Sequence, residues 1–103
     1  MSIDIPENSI QVLKDLLDSE IKRLIIKIES IKEELKFYEN KYNLVSKEFQ
    51  LKFDAGEMGD DEDYFSWYSI YDILLNTKNK KDSLESIKFV WHIFRTDTQI
   101  FWI

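Results

Sequence analysis

The chain has 103 residues, a formal net charge of −6 and no cysteine. This length predicts a single domain over residues 1–103, and the lack of cysteine excludes disulfides, thiolate nucleophiles and cysteine-ligated zinc. The negative charge disfavours nucleic acid and favours a basic protein partner. Residues 1–6 have neither a basic start nor an apolar run, and no stretch approaches the roughly 18 apolar residues of a membrane span. We therefore expect a cytoplasmic protein that does not bind a membrane.

The first predicted element is one long helix over about residues 6–42. Pro6 suits the first helical turn, where its missing N–H would be unpaired anyway. Apolar residues along this helix alternate spacings of three and four: Ile21, Leu24, Ile28, Ile31, Leu35, Tyr38 and Tyr42. The upstream spacing predicts a break in this phase, with local unwinding near Leu17. A stripe of this length is typical of a helical hairpin or coiled coil. If two copies of this helix pair, the charges favour an antiparallel pair with Glu20 beside Lys41.

Three shorter helices are predicted after it. Ser46 is a good N-cap for a helix over about 47–55, and Gly56 suits the left-handed residue that ends it. Asp60 or Asp61 caps an aromatic helix over about 61–78, and the polar residues 76–82 indicate a connection. A last helix is predicted at about 83–95, and the four large apolar residues 100–103 are expected to dock. The fold class is all-α: a long N-terminal helix in a hairpin or bundle with shorter helices, in an oligomer that we expect to be a homodimer.

Residues 41–67 carry a pattern of serine, glutamate, aromatic residues, paired glycines and acids. Its members are Lys41, Tyr42, Ser46, Glu48, Phe49, Phe53, Gly56, Glu57, Gly59, Asp60, Asp63, Tyr64, Phe65 and Trp67. This quarter of the chain resembles a family of short prokaryotic proteins described as uncharacterised, or as antitoxins encoded beside a small toxin. Ser66 stands where the family pattern has Glu, and residues 80–103 have no counterpart. The resemblance implies a binding role and supplies no catalytic residues.

The acids of this pattern are the main candidates for a site. Four of them are contiguous, whereas a calcium loop needs oxygen ligands at alternating positions, so helix capping is the favoured explanation over metal binding. His92, the one histidine, lies beside Trp91 and is expected to be an ordinary, partly buried residue. The aromatic set Tyr64, Trp67, Tyr68 and Tyr71 is more typical of a core than of a ligand cage. No catalytic, cofactor or metal site is predicted.

Capping needs one or two of these acids, and the surplus suggests a contact surface for a basic protein. The predicted partner-binding residues are Glu57, Asp60, Asp61, Asp63, Tyr64 and Trp67. The predicted function is that of a non-enzymatic protein–protein interaction module, an antitoxin-like or regulatory partner of a small, toxin-like protein. The alternative is a structural coiled-coil or bundle oligomer without a toxin partner.

Overall fold

The computed structural model describes the chain over residues 7–101, with side chains over residues 8–93. Every regular element in this range is a helix: α1 is Glu7–Tyr42, α2 is Ser46–Asp54 and α3 is Glu62–Phe101. α1 packs against α3 along its length, and α2 packs on α3 at one end. This confirms the all-α prediction and the pairing of the long N-terminal helix with the aromatic helix.

α1 and α3 run antiparallel as a hairpin. Lys41 of α1 pairs with Asp63 at the start of α3, while Asp18 pairs with Lys88 far along α3. We call the end that holds α2 and the two turns the closed end. The opposite end, formed by residues 8–18 of α1 and 84–93 of α3, is the open end. The molecule measures 63 × 25 × 22 Å, so it is a narrow rod.

The stripe predicted on α1 faces α3. Ile21, Leu24, Ile28, Ile31 and Leu35 are all buried. α1 continues without interruption through Leu17, and residues 10, 17, 24, 31 and 38 recur every seven positions along it. The local unwinding near Leu17 stays a prediction. Since α3 occupies this seam, it is not available for the antiparallel pairing of two α1 helices that the charges suggested.

The predicted connection at residues 76–82 is wrong, because α3 continues through it. The helices predicted at about 61–78 and 83–95 are therefore one helix. This segment is polar, but it contains no glycine or proline to end a helix. Thr77 is buried in the seam, and its hydroxyl donates to the carbonyl of Ile73. Ser83 is at the predicted start of the last helix, but its hydroxyl donates to the carbonyl of Asn79 one turn earlier. Ser83 therefore lies inside a helix and does not cap one.

The two turns end their helices with left-handed residues. Asn43 has φ of 49° directly after α1, and Leu44 N–H reaches back to the carbonyl of Glu39. After α2, Gly56 has φ of 75°. Gly56 N–H donates to Phe53 and Glu57 N–H to Lys52, which is the hydrogen-bond pattern of a Schellman motif. The predicted role of Gly56 is confirmed. The docking predicted for residues 100–103 lies outside the described side chains.

Gly56→Ala is expected to destabilise the fold by about 1 kcal/mol, because alanine resists a positive φ. Its added methyl group would meet no neighbour within 4 Å, so the cost is one of backbone conformation alone. Gly59→Ala is the matched control, since Gly59 is equally uncrowded and has no positive φ. Chemical denaturation measures both variants. Equal stabilities for the two would contradict the Gly56 geometry.

Asn79→Pro tests the continuity of α3. In a helix interior proline removes a hydrogen bond and clashes with the preceding turn, so a loss of about 3 kcal/mol is expected. Asn79→Ala should be neutral or slightly stabilising in the same denaturation experiment. Tolerance of proline at this position would restore the predicted connection.

Candidate interaction surfaces

The closed end is built around one buried indole. Trp67 of α3 and Phe49 of α2 are both fully buried, with their rings stacked at 3.8 Å and an interplanar angle of 1°. Tyr38 and Tyr42 of α1 stack near Trp67 at 5.8 and 5.7 Å. Three helices therefore meet at this ring. Tyr68 and Tyr71 also pack on this cluster, which confirms the prediction that the aromatic set belongs to the core.

Ser46 links the same three helices by hydrogen bonds. Its hydroxyl accepts from Trp67 Nε1 at 2.9 Å, and its backbone N–H donates to the Glu39 carboxylate at 2.8 Å. The predicted capping role of Ser46 is wrong: it is the first residue of α2, and Val45 before it makes no side-chain cap. A carboxylate of α1 takes over the capping of α2, while the serine satisfies the buried indole.

Asp63 has a structural role within the fold. Its carboxylate accepts hydrogen bonds from Lys41 Nζ and from the Tyr42 hydroxyl, both at 2.6 Å. The Lys41 hydrogen bond, followed by the Tyr42 hydrogen bond, lowers the pKa of Asp63 below its ordinary value of 3.8. The same carboxylate raises the pKa of Tyr42. Asp63 therefore joins the end of α1 to the start of α3, and little of it is left for a partner.

The remaining acids form an exposed group, which we call the acidic turn: Glu57, Asp60, Asp61 and Glu62. Asp61 caps α3, because its carboxylate accepts from the N–H of Asp63 at 2.9 Å. Each of the four is exposed, and none of them forms an ion pair with another side chain of residues 8–93. The predicted surplus of negative charge therefore lies together on the surface.

The two aromatic residues predicted to bind a partner, Tyr64 and Trp67, are both withdrawn from the surface, but to different extents. Trp67 has no exposed surface, so it is a core residue and cannot contact a partner in this conformation. Tyr64 is half-buried against Tyr42 and Phe49. Two exposed apolar residues at the closed end were missed: Leu51 of α2, and Phe65, which follows Glu62 by three positions on α3. Phe65 lies off the apolar stripe of α3 next to the acids, and this position was the signal that could have identified it.

A second candidate surface lies at the open end, where seven large apolar side chains are each 45–65 % exposed. These are Val12, Leu13, Leu16, Ile87, Phe89, Val90 and Ile93. A cavity of about 290 Å³ lies between the two helices there, with Ile10, Leu13, Leu17, Ile87 and Trp91 among its lining residues. The sequence did not identify this surface, because periodicity alone cannot tell whether another helix covers an apolar face.

Over the described side chains, no group of three or more histidine or acidic residues is placed to hold a metal ion. His92 is exposed, which differs from the partial burial expected. Among the described helices, none combines the length and apolar character needed to cross a membrane.

Asp63→Asn is expected to lower the melting temperature at pH 7, because Lys41 loses its carboxylate. The folded-state pKa of Asp63 is lowered, so its contribution to stability is complete above the unfolded value near 3.8 and is lost as the pH falls further. The gap between variant and parent should therefore shrink at acid pH. Asp60→Asn, at an exposed acid of the same loop, should leave the melting temperature nearly unchanged. A gap for Asp63→Asn that is constant from pH 7 to pH 2 would contradict the pairing.

No family model matches the chain, and neither the curated proteins nor the solved structures include a match to it. The resemblance of residues 41–67 to antitoxin-like proteins therefore stays a hypothesis.

Proposed function

We propose that the protein is a non-enzymatic, cytoplasmic protein–protein interaction module, an antitoxin-like or regulatory partner of a small basic protein. The observation that carries this proposal is the acidic turn at the closed end of the hairpin. Glu57, Asp60 and Glu62 project into solvent from a segment anchored on both sides, by the Schellman motif before it and by the Asp61 cap after it. A charged surface on a fixed support keeps its electrostatic pattern, which favours a partner of opposite charge.

The anchor of this contact is apolar surface beside the acids. Phe65 is 53 % exposed, and its ring meets Phe53 edge-on at 5.6 Å. Leu51 on α2 adds a second exposed apolar side chain. Aromatic residues held against a core are typical hot spots, while charges around them act mainly on the association rate. The resemblance of residues 41–67 to antitoxin-like proteins agrees with this role.

The experiment starts from a search for a small basic open reading frame that adjoins this gene. Its product is coexpressed with the tagged protein, and the association rate of the purified pair is measured across a salt series. Glu57→Gln with Asp60→Asn should slow association several-fold at low salt and flatten its salt dependence. Glu33→Gln with Glu34→Gln is the matched control, since it removes the same charge from an exposed part of α1. Equal rates for both double variants would reject the acidic turn as the contact.

The second candidate is a structural helical oligomer without a toxin partner. The exposed apolar side chains of the open end favour it, because such patches are typical of surfaces that another chain covers. A neighbouring gene product that does not bind, together with stable self-association, would favour this candidate over the antitoxin-like one.

A further inference from the structure

The open end is the part of the molecule in which large apolar side chains are least well covered. Seven of its large apolar side chains are exposed: Val12, Leu13, Leu16, Ile87, Phe89, Val90 and Ile93. Most of them are three or four residues apart on their helix, so they are neighbours on its surface. A group of exposed apolar side chains of this size is typical of a surface that another chain covers. One neighbouring helix therefore covers too little of α1 and α3 here.

The seam between α1 and α3 is also weaker at the open end. The positions of α3 that continue the seven-residue repeat of Trp67 and Leu74 are Lys81 and Lys88. Lys88 Nζ lies 2.7 Å from Asp18 Oδ1, so this level of the seam holds an ion pair in place of apolar packing. Two partly exposed charged side chains occupy this level of the seam, so the apolar side chains around them have no core to enter.

The hairpin as a whole exposes more surface than a compact domain of its mass. The accessible surface is 8094 Å² at 12.5 kDa, whereas a folded monomer of this mass exposes about 6,200 Å². The excess of about 1,900 Å² is more than the roughly 800 Å² that each partner buries in a standard interface. The radius of gyration of 20.4 Å, against about 13 Å for a compact domain of this length, agrees with it.

The shape and charge of the open end favour a second copy of the same chain. In a two-fold interface, one patch must carry both the projecting side chains and the cavity that receives them. The open end has both, since the 290 Å³ cavity is lined by Leu13 and Ile87, and the exposed Leu16 and Val90 each follow one of these residues by three positions on the same helix. Its charges are few and of both signs: Lys14, Asp15, Asp18, Glu85 and Lys88. The acidic turn would repel its own copy, so it lies outside such an interface.

We propose that two copies of this chain pack their open ends together around a two-fold axis, forming a four-helix bundle from two α1 and two α3 segments. The acidic turns then lie at the far ends of the dimer, one on each copy, free to engage separate partners. This interface is distinct from the acidic turn, so it does not depend on the basic partner.

The test is the mass of the full chain in solution. Sedimentation equilibrium should give a dimer for the wild type, with a mass that does not grow further at higher concentration. Leu16→Lys with Val90→Lys should weaken the dimer by about 100-fold or more, since four apolar side chains per dimer lose their burial. Ile26→Lys with Phe37→Lys is the matched control, because both are exposed apolar residues of α1 outside the open end. Circular dichroism checks that each variant keeps its helices.

A single cysteine gives a second measurement, since the chain has none of its own. Leu16→Cys should form a disulfide-linked dimer on mild oxidation, and Phe37→Cys should not. A wild-type monomer at high concentration would overturn the proposal. Growth into larger assemblies, or equal dissociation by the Ile26 and Phe37 control pair, would also overturn it. Each of these results leaves the acidic turn to be judged by its own association experiment.

Discussion

The stack of Trp67 on Phe49 is the contact on which the closed end depends. Trp67 comes from α3 and Phe49 from α2, and Tyr38 and Tyr42 bring in α1. Burial of an indole requires a partner for its N–H, and Ser46 supplies it. Because Ser46 is also fixed by Glu39, one ring and one hydroxyl set the position of all three helices. The rest of the rod is a two-helix seam that extends from this point.

This contact gives a structural explanation for most of the pattern in residues 41–67. Ser46, Phe49, Phe53 and Trp67 belong to the aromatic core, Gly56 supplies the left-handed turn, and Asp63 joins α1 to α3. Each of these positions has a folding role. The resemblance to antitoxin-like proteins thus rests largely on residues that build the closed end. The exposed residues outside this network, chiefly Glu57, Asp60 and Phe65, are left with a surface role.

The two ends of the rod differ in what they offer to other molecules. The closed end is well packed and presents negative charge, whereas the open end is loosely paired and presents apolar side chains. The difference arises along α3, whose seam positions change from Trp67 and Leu74 to Lys81 and Lys88. An apolar patch is covered by close packing and a charged turn acts at longer range, so the two surfaces suit different partners.

The sequence by itself determined the long first helix, the buried stripe from Ile21 to Leu35, the ending of α2 at Gly56 and the capping of α3 by an acid, because periodicity and turn chemistry are local. It did not determine that residues 76–82 remain helical, since a polar run is compatible with both a loop and a solvated helix. Only the tertiary structure decided that, because Thr77 in this run is buried in the seam between α1 and α3. It also decided that Trp67 is core and Phe65 surface, because the side of a helix that meets its neighbours depends on where α1 and α2 lie.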